Sequence, residues 1–235
     1  MQPGDILVFN GQKPSTFLGT RLKGTLFEAG ERWFTNYWIP GQSPNRYVSG
    51  DATHVAIVLD KVRGKLCYFG AELTADLHPI DDFINDRDID YLCFSPKNIG
   101  QAAIDYALDW IWNEYRNQLY SFGSIPFYIA RDFGERCLHK DCRRWRNPVT
   151  KLPICSKIGY HYTLKLFETG ATAAQQHEAE EIWNQWRMES FHATDMIVLL
   201  SLLPQFFALT EGRWSAKIPK ELGLVAPPGV ELKLR

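Results

Sequence analysis

Two residues have the types and settings for covalent chemistry. His54 lies inside the apolar, β-branched run Thr53-His54-Val55-Ala56-Ile57-Val58-Leu59. Such a run predicts a central strand buried on both faces. An imidazole held there needs a partner for its ring N–H. Cys155 follows Lys151-Leu152-Pro153-Ile154 and opens a helical stretch that ends near Gly170. A thiol in the first turn of a helix meets the positive end of the dipole and free backbone N–H groups, which favour thiolate. The same N–H groups can hold an oxyanion on an attacked carbonyl. A histidine within reach would complete activation of the thiol, and a carboxylate behind it would orient the ring. The plain alternatives are a structural histidine bonded to main chain and a small buried cysteine.

The carboxylate follows from a hairpin. Residues 60 to 64 read as a turn and Lys65 to Glu72 as a second strand. A three-residue loop at Val62-Arg63-Gly64, with Gly64 left-handed, sets 61 opposite 65. Stepping back along both strands then brings His54 opposite Glu72. A two-residue loop would put Leu73 there instead.

Other elements must carry these two. Residues 5 to 9, Asp-Ile-Leu-Val-Phe, follow a Pro-Gly turn and predict a short buried strand. Residues 10 to 51 are rich in Gly, Pro, Asn and Ser but also hold Phe17, Trp33 and Trp38, which suits an ordered insertion or lid. Residues 72 to 90 carry seven acidic side chains against one Arg and are expected to form a solvated loop. Tyr91 to Phe94 reads as a strand. Ser95-Pro96 reads as the start of an amphipathic helix over about 97–116. The basic stretch 131–151 reads as an exposed loop. Helices are expected over 172–189 and from Met196, the latter capped by Thr194-Asp195. The chain after 214 is expected to be an extended tail.

These pieces, in order, resemble a known family. Gly4-Asp5-Ile6-Leu7, then Thr53-His54-Val55-Ala56-Ile57-Val58, Glu72 and Cys155-Ser156 look like the circularly permuted NlpC-type peptidases of the papain-like superfamily. The lecithin retinol acyltransferases are relatives of that group. Ala193-Thr194-Asp195-Met196 resembles the Pro-Ala-Asp-Leu motif that often follows the catalytic helix. The resemblance implies Cys155 as nucleophile, His54 as base and Glu72 as orienting group. Tyr120, before Ser121-Phe122-Gly123, matches a tyrosine that lines the family's cleft. The chain departs from the pattern where Ser156-Lys157 replaces the usual Ser-Glu, and in the long segment before His54. The implied fold is α+β: a small antiparallel sheet holding His54 and Glu72, packed against the helix that starts at Cys155. One domain over 1–214, with the insertion at about 10–51 and the tail at 215–235, accommodates it.

A competing set uses the same cysteine. Cys137, His139, Cys142 and Cys155 offer three thiols and one imidazole, a tetrahedral zinc shell. Their spacing is irregular, so neither zinc nor any other cofactor is expected. His78, His161, His177 and His192 are expected to be surface or packing residues.

Composition narrows the functions. The 235 residues include 26 Lys and Arg against 27 Asp and Glu, a net charge of −1, which argues against a nucleic-acid face over the whole domain. Aromatics at 14% supply a core and a lined groove. The most apolar run, Met196 to Leu209, contains Pro204 and falls short of the roughly 20 residues a bilayer span needs. It is expected to cover an apolar surface of the protein or of a partner, including a second copy. No leader pattern precedes the first strand, so a cytoplasmic location is expected, and the resemblance admits a bacterial or phage source. Five cysteines without a leader suit reduced thiols. The expected activity is hydrolysis of a peptide-like amide or of an ester, or acyl transfer to another acceptor. The alternative is a non-catalytic interaction module, with or without zinc.

Overall fold

A computed structural model of the chain describes residues 1–10, 36–37, 48–49, 52, 54–62, 65–71, 75–85, 89–119, 127, 130, 133–134, 138, 155–186, 193–218 and 223–234. The fold is α+β. Strand β1 (Ile6–Asn10) lies at the middle of a seven-stranded sheet with β4 (His54–Val62), β5 (Lys65–Ala71), β6 (Ala75–Pro79), β7 (Asp90–Pro96), β8 (Phe207–Ile218) and β9 (Glu231–Leu234). The spatial order is β6-β5-β4-β1-β7-β8-β9. All neighbours are antiparallel except β8 and β9, which are parallel. A separate two-stranded ribbon, β2 (Asn36–Tyr37) and β3 (Val48–Ser49), falls within the 10–51 insertion.

Four helices of ten or more residues are described: α2 (Gln101–Tyr115), α3 (Cys155–Gly170), α4 (Ala173–Trp186) and α5 (Ala193–Leu202). A one-turn helix, α1 (Asp81–Ile84), follows β6. Side-chain alternation divides the sheet into two apolar layers. Ile6, Val8, Val55, Ile57, Phe69, Leu92 and Phe94 face α2, α3 and α5. Leu7, Phe9, Ala56, Val58, Tyr68, Tyr91 and Cys93 form the opposite layer, with Ile80 and Ile84 packed beside them.

One crossing ties strands to helices. The Pro3-Gly4-Asp5 turn puts Gly4 at φ 95°, a left-handed conformation that glycine accepts without strain. Its N–H donates to the Val58 carbonyl at 2.8 Å, and Val58 N–H returns a bond to Asp5 O at 2.8 Å. From α3, the buried Tyr162 hydroxyl donates to the Gly4 carbonyl at 2.9 Å. A Cβ at Gly4 would lie 2.5 Å from Ile104 on α2. One glycine thus lets β1, β4, α2 and α3 meet closely.

Several expectations need correction. The acidic stretch is not a loop throughout: Ala75–Pro79 is the sheet's edge strand and Asp81–Ile84 a helical turn. Within β6 only Asp76 is acidic, and Ala75 and Leu77 alternate with it and pack against the helix-side core, which is enough for an edge strand. Ser95 and Pro96 do not start a helix. They end β7, paired with Ala208 and Phe207, and Gly100 is the N-cap of α2, without a side-chain bond. Thr194 and Asp195 lie within α5 and not before it. Pro204 stops that helix, as expected, but Phe207 to Leu209 then enter β8. The supposed tail from 215 on contributes the end of β8 and all of β9. Strands that gain their partners only from distant chain leave little local signal.

Helix α5 is the innermost. Met196 through Leu200 and Leu203 are at most 1% exposed. These residues cover the protein's own core, which removes them as a partner or dimer face. Among the described residues no helix is long and apolar enough to cross a membrane. Leu199→Ala should cost about 2–5 kcal/mol. Urea unfolding measures it, and a loss below about 1 kcal/mol would contradict the central placement of α5.

Candidate active site

The first turns of α3 rest directly on β4. Ile158, Gly159, Tyr162 and Leu166 are buried along the helix face that meets the sheet. A Cβ added at Gly159 would come within 2.6 Å of Val55 Cγ1 and 3.4 Å of Met196 Cε. Only glycine allows so close an approach of helix to strand. Cys155, four residues earlier, shares that face by helical spacing and is 5% exposed. Gly159 touches Val55, and Tyr162 reaches the Gly4 turn beside Val58. The helix therefore runs along β4 with Cys155 toward the His54 end.

His54 itself projects the other way. It pairs across the ladder with Phe9, and the two rings stack at 6.0 Å between centroids. Its ring stands edge-on to Tyr68 at 6.4 Å. A Cβ at Gly70 would meet His54 Nε2 at 2.9 Å, so the imidazole lies over that glycine. Phe9 and Tyr68 belong to the layer opposite α3. His54 and Cys155 thus share an end of β4 but not a face of the sheet. The period of two decides this: Val55 faces the helix, so its neighbour cannot.

On the His54 face, Tyr68 also stacks on His78 of β6, with centroids 5.3 Å apart. His78 Nε2 is buried without a hydrogen-bond partner among the described residues. Phe9, His54, Tyr68 and His78 form an aromatic row across three neighbouring strands and β1.

The register near the site is the one the hairpin arithmetic requires, for a different reason. The strand ends pair as Val62↔Lys65 and Lys61↔Leu66, a tighter connection than the three-residue loop expected. A bulge between Val58 and Lys61 absorbs one residue and restores Val58↔Tyr68 and Ala56↔Gly70. Glu72, Tyr120, Cys137, His139 and Cys142 lie outside the described residues. Among the described residues no three His, Cys, Asp or Glu side chains converge as a metal site would require.

Electrostatics distinguish the thiols and histidines. Cys67, Cys93 and Cys155 are all buried, and Cys67 and Cys93 carry free thiols. Burial and then the neighbouring Asp5 push the Cys93 thiol far up, which disfavours the nucleophilic thiolate. Lys157, two residues after Cys155, has its ammonium form disfavoured by burial, partly countered by Glu114. His161 is turned toward α2, where Nδ1 hydrogen-bonds the Tyr115 hydroxyl. Burial, then Lys157 and Lys165, lower its pKa to about 4. This pair joins two helices far apart in sequence and gave no sequence signal beyond helical spacing. His177 is exposed, 3.6 Å from Glu181 one turn along α4.

No family model, no curated protein and no solved structure matches the chain.

The Gly159 contact yields a sign test. Alanine has the better helix propensity by about 1 kcal/mol. Overlap with the stiff, buried Val55 should cost about 1–3 kcal/mol. Gly159→Ala should therefore lower the urea midpoint, and Val55→Ala in the same chain should recover part of the loss. A stabilised Gly159→Ala would show that α3 does not rest on β4 there.

Proposed function

We propose that this chain is a cysteine-dependent hydrolase of the circularly permuted NlpC kind, with Cys155 as nucleophile and His54 as base. The Cys155 thiolate attacks the carbonyl of an amide or ester, and backbone N–H groups at the start of α3 hold the oxyanion. The tetrahedral intermediate collapses to a thioester as the amine or alcohol leaves with the proton held by His54. Water, or a second acceptor in acyl transfer, then releases the acyl group. Peptide-like amides of the cell-wall type and lipid acyl esters are the two substrate classes, and Glu72 and Tyr120 keep the orienting and cleft-lining roles the resemblance implies. The observation that carries the reading is the seating of the Cys155 helix on the strand that His54 begins. A mostly antiparallel sheet covered by that helix, an α+β arrangement, is also in keeping with what the family implies.

A second reading has a specific observation in its favour. His54 packs between Phe9 and Tyr68 on the face away from α3, as a structural aromatic residue would. On that reading the domain is an interaction module and its thiols are inert.

Iodoacetamide separates the two. The hydrolase reading expects one fast thiol near neutral pH, located at Cys155 by peptide mapping, and slowed about tenfold or more in His54→Ala. Uniformly slow thiols, or a Cys155 rate indifferent to His54→Ala, would favour the module.

A further inference from the structure

We infer that the Tyr115–His161 contact is an acid-released latch between α2 and α3, the helix that begins with Cys155. The two side chains share a hydrogen bond across the seam, with Tyr115 3% exposed and His161 half-buried. Trp110, Tyr115 and Tyr160 surround the imidazole, at 6.0, 5.8 and 5.8 Å between centroids. The charged groups that act on it lie on its own helix, and the nearest charge of α2 acts on its neighbours. From α3, Lys157 and Lys165 oppose its protonation and Glu168 favours it. From α2, Glu114 lies near both Lys157 and Tyr115. Lys165 is held in place, bridged to Glu168 at 2.5 Å and lying 4.9 Å from the Trp110 ring centre.

Neutral His161 fits this seam. Nδ1 can accept the Tyr115 proton, and the ring adds no charge. Protonation makes both ring nitrogens donors, so the hydrogen bond must run from imidazole to phenol. It also sets a third positive charge beside two lysines in a partly desolvated groove. The lowered His161 pKa agrees with this geometry. The sign follows from linkage: the folded pKa lies below the unfolded value of about 6.5, so the unfolded chain binds more protons between the two. In the folded chain the latch therefore stays neutral and engaged until the pH nears about 4, where protonation releases it. The stability it contributes is full above about pH 6.5 and is lost progressively as pH falls from there to about 4.

Histidine-labelled full-length chain, followed by NMR, tests the inference directly. The His161 ring should titrate near 4, and Lys157→Gln or Lys165→Gln, both at the helix rim, should each raise that midpoint by several tenths of a unit. Urea midpoints between pH 7 and 4.5 should fall more steeply for wild type than for His161→Gln, whose neutral amide can still pair with Tyr115. A His161 midpoint near 6.5 that neither lysine substitution moves would overturn the latch. So would equal acid sensitivity in wild type and His161→Gln. Should His161→Gln fail to fold, the lysine variants decide by themselves.

Discussion

The seat of α3 on β4 is the contact on which the candidate site depends. A helix packed on a sheet normally stands off by the length of its side chains. Here Gly159 removes one of them, and Val55 fills the space. The same helix is anchored one turn later by Tyr162, whose hydroxyl reaches the carbonyl of Gly4. Both anchors lie on the strand pair β1–β4, so the height and direction of α3 are set from the centre of the sheet. Cys155 inherits its position from them. So does Lys157, turned instead toward the end of α2, where Glu114 lies.

Strand geometry then imposes a second constraint. With Val55 and Ile57 committed to the helices, Ala56 and Val58 must face the other layer, and His54 goes with them. The imidazole is accommodated there by Gly70, whose missing side chain leaves room for the ring, and by Phe9 and Tyr68 on either side. The proposed chemistry needs the base to work from the end of β4, around its first residue. The interaction-module reading needs no such reach. The two readings differ in one physical quantity, the electrostatic coupling between thiol and imidazole.

Much of this arrangement was legible in the sequence where signals are local. The apolar run around His54 fixed a central strand, and Cys155 to Gly170 was recognisable as a helix from its ends. Pro204 marked the stop of α5. The face of His54 was not legible, because a run apolar on both sides carries no period-two signal to say which side meets helices. The bulge between Val58 and Lys61 was equally invisible, although it restored the register inferred from a longer loop. Strand β6 escaped because its polar, Pro-containing stretch carries little strand pattern of its own. Strands β8 and β9 escaped because β8 finds its first partner, β7, more than a hundred residues earlier and β9 then adds to β8. Gly159 looked like an ordinary helix glycine, and nothing in the chain announced that Val55 lies beneath it.

The most direct measurement is the titration of the His54 ring by NMR in wild type and in Cys155→Ala. A thiolate within reach of an imidazolium stabilises it, and two such groups titrate as a pair. The account predicts that Cys155→Ala lowers the His54 midpoint by about one unit, as expected when a close opposite charge is removed. Superimposable titration curves in the two proteins would contradict it and leave His54 as a packing residue of the far layer.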